Sequence, residues 1–317
     1  MKVRLNYDID PTEPILLAGW PGMGNVGVGA VDFLRKETSA EHFGEMDMSD
    51  HFTPDAIVVE EGIAKLPEMP SNSFSWSESS NLVFFQSEAQ VSGPAAMTLT
   101  NMIVDLAESL GVRRIYTCAA FSVPISYSEA TRVLGVATNE RLRDSLDQQG
   151  AEILGQGMIS GLNGLLLGVA GSRGIESACL LATIPQYAIS LPNPRGSRAI
   201  VETLGRILDL ELDTSGFDEA VEQMDGVMSQ IEERMRAAFS AASEEEGAEV
   251  PEVSSEMDRD EVPQYVMRRI EQLFGEVAQD RERASELKAE LDKWGLYDLY
   301  EDRFLDLFRS GEEGAEE

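Results

Sequence analysis

Apolar positions in the first two hundred residues show two textures: short unbroken runs, and longer stretches with a three-to-four spacing. Residues 14–19 (PILLAG) form a run that ends in a glycine-rich turn, and residues 26–36 then take up the helical spacing. Residues 56–60 (AIVVE) and 82–86 (LVFFQ) are β-branched or aromatic, which predicts buried strands. Gly93-Pro94 opens a helix running to Leu110, with Gly111 as its stop. Residues 114–121 (RIYTCAAF), 133–137 and 177–182 predict further strands. Helical patterns cover 139–149, stopped by Gly150, then 161–169, then 195–208 behind Pro192-Asn193-Pro194. Strands alternating with helices predict an α/β fold built on a largely parallel sheet, covered on both faces. The acidic segment 41–50 (EHFGEMDMSD) lacks the texture of a second strand.

After Thr214 the pattern changes. Phe217, Val221, Met224, Met228, Ile231 and Met235 recur at spacings of four and three, a heptad seam. Residues 240–258 (SAASEEEGAEVPEVSSEMD) are acidic and small, with Pro and Gly, and read as a disordered linker. Beyond it Val266, Ile270, Leu273 and Val277, then Ala284, Leu287, Leu291 and Trp294, resume the spacing. Residues 296–308 predict a shorter aromatic helix. The expected division is a core over 1–239 with its heptad-patterned closing helix, a linker over 240–258, and an acidic helical extension over 259–317. Both helical stretches admit two readings: an arm that pairs with another copy or a partner, or a stripe that packs back on the core.

Composition narrows the class. The 317 residues are 43% hydrophobic, and no run approaches the roughly 20 apolar residues of a membrane span. The first residues lack a signal peptide's apolar segment, so a cytoplasmic protein is expected. Cys118 and Cys179 lie in apolar runs and read as reduced core residues. With only His42 and His51 beside them, a Cys/His zinc cluster is excluded. The net charge is −32. Residues 1–214 carry 27 acidic and 14 basic side chains, and residues 215–317 carry 30 and 11. Such a surface repels phosphate backbones, so neither nucleic acid nor an anionic membrane is an expected partner.

Candidate chemistry centres on one turn. Gly22-Met23-Gly24-Asn25-Val26-Gly27 fits G-x-G-x-x-G between a strand and a helix. Glycines let a ligand approach the backbone, and first-turn amides favour an anion. A dinucleotide site would also need a second strand ending in an acid, and Pro21 stiffens the turn in a way that fingerprint does not call for. The other reading is a tight strand-to-helix connection packed against a neighbour. Glu60, Asn193 and Arg195 are the polar groups that could converge on an anion there. ATP-dependent ligation needs cations on phosphates, yet lysine occurs only at 2, 36, 65, 288 and 293. Arg195 and Arg198 either meet a phosphate at their helix start or pair with surface acids. Ser122, Ser126 and Ser128 follow a strand but have no G-x-S-x-G elbow, and Cys118 is mid-strand and apolar. No catalytic residue, metal ligand or cofactor is assigned from the residue types.

The turn from Gly19 to Gly27 (GWPGMGNVG) resembles the opening signature of the PAC2 family, the proteasome assembly chaperone proteins. The resemblance continues in order through Glu60-Glu61-Gly62, Val91-Ser92-Gly93-Pro94, residues 135–139 (GVATN), 159–167 (ISGLNGLLL), Leu180-Leu181-Ala182, Asn193-Pro194-Arg195 and 204–208 (LGRIL). It implies a three-layer α/β/α sandwich similar to the phosphorylase/hydrolase-like fold, with a C-terminal helical extension. It also implies homo-oligomers and protein partners, among them proteasome α-ring subunits. The hydrophobic-Tyr-X tail by which some archaeal relatives dock on that ring has no counterpart in Gly311–Glu317. Members have also been labelled ATP-grasp-like carboxylate–amine ligases. Three functions are therefore expected in descending order: a non-catalytic assembly chaperone or scaffold, an enzyme on a small anionic or nucleoside-like ligand at Gly22, Gly24, Asn25 and Gly27, and an ATP-dependent ligase.

Overall fold

The computed structural model describes residues 1–51, 57–66, 68–244, 283–293, and singly 270, 273, 274, 277, 300 and 304. The chain divides into two compact units, Met1–Glu245 and Glu246–Glu317. In chain order the first holds β1 (Lys2–Leu5), β2 (Ile15–Gly19), α1 (Val26–Glu37), β3 (Glu41–Asp47), β4 (Val58–Glu60) and β5 (Ile63–Lys65). There follow β6 (Asn72–Ser77), β7 (Leu82–Ser87), α2 (Gly93–Ser109), β8 (Arg114–Val123), β9 (Val133–Ala137) and α3 (Glu140–Gln148). The unit ends with β10 (Glu152–Ile153), α4 (Gly161–Ser172), β11 (Glu176–Pro185), α5 (Pro194–Leu208) and α6 (Asp218–Glu244). In the second unit α7 covers Ala284–Lys293.

Nine strands make one sheet in the order β1-β3-β6-β7-β2-β8-β11-β9-β10. Its central strands β7, β2, β8 and β11 run parallel, as do β9 and β10. The sheet is mixed rather than largely parallel, because β1, β3, β6 and β7 pair antiparallel along one edge and β9 runs against β11. Of the strands read as apolar runs, β2, β7, β8 and β11 are buried on both faces. Alternate residues of β2 serve different layers: Ile15 and Leu17 pack under α1 and α5, Leu16 and Ala18 under α2 and α4. Leu82 and Phe84 of β7 repeat the first choice, Val83 and Phe85 the second. Helices on both sides of the sheet make the three layers.

Two expectations need correction, and one open choice is decided. The acidic stretch 41–50 does contain a strand: β3 buries Phe43 and Met46 on one face and leaves Glu41 and Glu45 to solvent. One-sided burial is what an antiparallel strand allows. The expected buried strand over 56–60 is instead β4 of an exposed two-stranded hairpin with β5, apart from the main sheet; Ala56 lies outside the described residues. The helix carrying the heptad seam docks on its own core in its first turns. Phe217 stacks on Phe33 of α1 with ring centroids 4.4 Å apart, Val221 packs on the core, Met228 is buried, and Met235 is exposed.

Within the second unit, Ile270, Leu273, Phe274, Val277, Leu287, Leu291 and Phe304 bury one another, with Tyr300 against Phe274 at 5.6 Å between centroids. The described residues of these apolar stripes thus bury one another. Helix α6 continues to Glu244, into the segment expected as linker; residues 245–258, Val266 and Trp294 lie outside the described residues.

Candidate functional site

The turn after β2 is assembled from its glycines. At Gly19 an added Cβ would stand 3.0 Å from the Val31 side chain, and at Gly27 it would stand 1.9 Å from the Cys118 carbonyl oxygen. Both glycines let α1 lie directly on the sheet. Between them the chain makes a 3₁₀ turn over Met23–Asn25, and Gly24 and Asn25 both adopt left-handed backbone (φ 62° and 50°). Trp20 is buried beneath, 5.4 Å from Phe85 between centroids, and its Nε1 has no hydrogen-bond partner among the described residues.

Three amides of this turn are committed to the protein. Gly24 N–H donates to the Ile189 carbonyl (2.8 Å), Asn25 N–H to Gly22 (2.9 Å), and Val26 N–H to Met23. In return the Asn193 N–H donates to the Gly24 carbonyl at 2.8 Å. The Gln90 side chain donates to the Pro21 carbonyl at 2.5 Å. Asn193 Oδ1 caps α5 by accepting from Gly196 N–H at 2.8 Å. Ser197 of α5 donates to the Val26 carbonyl at 3.1 Å, and its Oγ would lie 2.8 Å from a Cβ at Gly29. The sequence-predicted Gly22, Gly24, Asn25, Gly27 and Asn193 are thus brought together, as a strand-to-helix connection locked to its neighbours. The acid-ending strand β3 runs in the same direction as β2 but lies three strands away, and β7, which pairs with β2, ends at Ser87.

Arg195 and Glu60 are placed differently. Arg195 pairs with Asp225 of α6 and donates to the Tyr127 carbonyl at 2.9 Å. Arg198 likewise pairs with Glu202 and with Asp218 of α6. Glu60 is exposed on the β4–β5 hairpin and pairs with Lys65 at 2.7 Å. The phosphate-binding cations considered from sequence are therefore engaged by carboxylates.

In an open α/β sheet the place for a ligand is the crevice outside the carboxyl ends of the strands. Here the loop after β8, the end of β11 and the start of α5 meet α6. Asp225, Met224 and Met228 face Tyr127, Pro185 and Arg195 across a cavity of about 20 Å³, room for about one water. Glu232, one turn beyond Met228, accepts from the Ser126 hydroxyl (2.9 Å), the Tyr127 N–H (2.9 Å) and the Tyr187 hydroxyl (2.6 Å). Burial pushes its carboxyl up, but the bonds from Tyr187, Tyr127 and Ser126 outweigh this and hold it below the ordinary value. Tyr187 is raised by burial and by donating to that carboxylate. Sequence reasoning missed Glu232; its signal is an acid on the buried side of the heptad seam, four residues after Met228. Cys118 and Cys179 are fully buried, and burial holds both thiols protonated, Cys179 pushed up to about 12. Among the described residues no group of three or more His, Cys, Asp or Glu could hold a metal ion, and no helix is long and apolar enough to cross a membrane.

The sequence pattern of the PAC2 family matches residues 16–232. The uncharacterized protein MJ1210 of Methanocaldococcus jannaschii is 27% identical over 248 residues, covering 75% of this chain and 93% of that one. In fold the chain is similar to Pyrococcus furiosus PbaB, described as an archaeal proteasome activator (TM-score 0.63, 24% identity, 73% of this chain and 98% of that one). It is also similar to Pyrococcus furiosus PbaA, described as an archaeal homolog of proteasome-assembly chaperone (TM-score 0.59, 23% identity, 76% and 96%). A third is the Mycobacterium tuberculosis proteasome-assembly chaperone homologue Rv2125 (TM-score 0.58, 18% identity, 68% and 94%). The matched region contains the glycine turn, both of its neighbours and the α6 latch up to Glu232: this chain belongs to the PAC2 family.

Proposed function

We propose that this protein is a non-catalytic assembly chaperone or scaffold of the proteasome-assembly-chaperone type, a cytoplasmic homo-oligomer that binds protein partners. The observation that carries this reading is that α6 fills one part of the crevice. Between the loop after β8, the end of β11 and the start of α5 it supplies Asp225, Met228 and Glu232, and the space left is about 20 Å³, while open cavities of about 390 and 330 Å³ lie farther along the same sheet end, at Asp47 and Ser71 and at Asp32 and Gln86. The proteasome-related descriptions of PbaA, PbaB and Rv2125 support the choice of partner class, a proteasome α-ring subunit or a similar assembly.

The test is binding of the purified full chain to purified α-ring subunits at about 0.1 M and again at about 0.5 M salt, because an acidic surface collects basic bystanders that salt removes. A stoichiometric complex that survives the salt step is expected. Its absence in both conditions overturns the chaperone reading. The second reading, a small anion held at Gly22–Gly27 with Glu60, Asn193 and Arg195, is disfavoured by the inward-turned amides of Gly24 and Asn25. Thermal stabilisation by phosphate or nucleotides that is lost in Gly24→Glu would revive it.

A further inference from the structure

Most of the large exposed apolar side chains among the described residues lie at one end of the sheet. The register places the carboxyl ends of β2, β7, β8 and β11 together, and the end of β3 and start of β6 lie at that same end. The loops leaving this end carry Met23 after β2, Met97 in the first turns of α2, Met158 ahead of α4, and Ile189 after β11. Gln90 joins them physically, donating to Pro21 and lying 2.8 Å from a Cβ built at Gly161. Met158 is 71% exposed.

The β4–β5 hairpin leaves and re-enters the fold at this end, between β3 and β6. Its turn is Glu61-Gly62, both with positive φ (50° and 81°), as a tight two-residue hairpin requires. Val59 lies opposite Ala64, and Ile57 and Leu66 continue that register. Opposed residues share a face, so one face of the tongue presents only Ile57, Val59, Ala64 and Leu66. Val59 is 61% and Leu66 76% exposed. The other face carries Val58 and Ile63 with the Glu60–Lys65 pair. An isolated two-stranded hairpin is marginal in water unless its apolar face packs on something.

We propose that this sheet end is a self-association surface, in which the β4–β5 tongue of one copy lies across Met23, Met97, Met158 and Ile189 of a second copy. Charge and area select that occupant. Two chains of net charge −32 can approach only where charge is sparse, and the Ile57–Leu66 face of the tongue carries no ionisable side chain. A basic partner would instead be drawn to the acidic remainder. The Ile57–Leu66 face of the tongue and the four sheet-end residues expose on the order of 800 Å² per copy, comparable with the about 800 Å² each partner of a stable complex contributes. The inference deepens the oligomeric part of the proposed function by naming its surface.

The test uses the purified full chain without any partner, in sedimentation at tens of micromolar. Wild type should sediment as an oligomer, and the paired Val59→Glu/Leu66→Glu variant and the Met158→Glu variant should each lose at least half the apparent mass. Tyr7→Glu, at the far end beside Thr38 and Trp76, should leave it unchanged. Raising salt from about 0.1 to about 1 M should keep or strengthen the oligomer, because it screens repulsion between like-charged copies. As a check independent of folding losses, Leu66→Cys and Met158→Cys chains mixed together should cross-link with a bismaleimide, Cys118 and Cys179 being buried. A monomeric wild type, folded variants of wild-type mass, an oligomer that dissolves in salt, or a mixture that does not cross-link overturns the proposal. An intact oligomer that fails to bind α-ring subunits would sink the chaperone role and leave this surface standing.

Discussion

Gly27→Ala separates a glycine needed for packing from a glycine needed for a ligand. The added methyl would stand 1.9 Å from the Cys118 carbonyl oxygen, inside the 3.0 Å that Cβ atoms essentially never breach, so helix and strand must part by more than an ångström. The obstacle is backbone in the middle of β8 and cannot swing aside. A gap of about 1 Å forfeits a quarter to a half of the dispersion well across it. Val26, Ala30, Val31 and Leu34 are fully buried on that side of α1, and burying a side chain such as Val or Leu is worth about 1.5–3 kcal/mol. Against this, alanine gains about 1 kcal/mol over glycine within a helix. The net expectation is a loss of about 1–3 kcal/mol. Gly168→Ala in α4, where a Cβ meets open space, should instead stabilise by about 0.5–1 kcal/mol. Urea unfolding of the full chain followed through tryptophan fluorescence reads both, since Trp20 and Trp76 report on the first unit. If Gly27→Ala stays within about 0.5 kcal/mol of wild type, α1 does not rest on β8 as described, and the glycine turn must be explained by something other than packing.

Two further outcomes follow from the latch and the cap. Glu232 is held below its ordinary value, so its folded-state pKa lies below its unfolded one. Its contribution to docking α6 is therefore complete above about pH 4.5 and lost as pH falls through the lowered value. Hydrogen exchange at Tyr127 and along α6 should rise on that acid limb, and Glu232→Gln should raise it at neutral pH and flatten the acid response; an unchanged profile would refute the latch. Asn193→Ala removes the cap of α5, worth about 1 kcal/mol, and Asn193→Asp should restore most of it. Equal losses in both variants would show that the side chain does not cap.

Much of the fold was legible because its central strands are buried on both faces. The apolar runs at 82–86, 114–121 and 177–182 announce themselves without reference to any neighbour, and all three are strands. Helix ends were legible for local reasons: Asn139 caps α3, and Gly111 and Gly150 take the left-handed backbone that ends α2 and α3. By contrast β6 (NSFSWS) carries no apolar run, yet its adjacent residues Phe74 and Ser75, on opposite faces, are both buried. Serine in a strand becomes tolerable only when a partner is supplied from afar, as when Ser77 donates to the Thr38 carbonyl at 2.8 Å. Strand direction was equally hidden, since pairing is a choice among neighbours that a run of residues does not encode.

The site divides in the same way. The glycine turn was visible as a motif, because closely spaced glycines mark a backbone that something must approach. What approaches here is the protein itself: the Cys118 carbonyl lies against Gly27, the Ile189 carbonyl accepts from Gly24 N–H, and Asn193 N–H donates to the Gly24 carbonyl. The hairpin at 58–65 makes the complementary point. Its valines and isoleucine express a preference to leave water, and the sequence alone determined that preference along with the charge, the capping and the alternation of elements. Whether a preference is met depends on what the chain folds against it. In β7 a helix layer covers each face, and in β4 neither face is covered, so only the tertiary structure turns a hydrophobic residue into core or into an exposed surface.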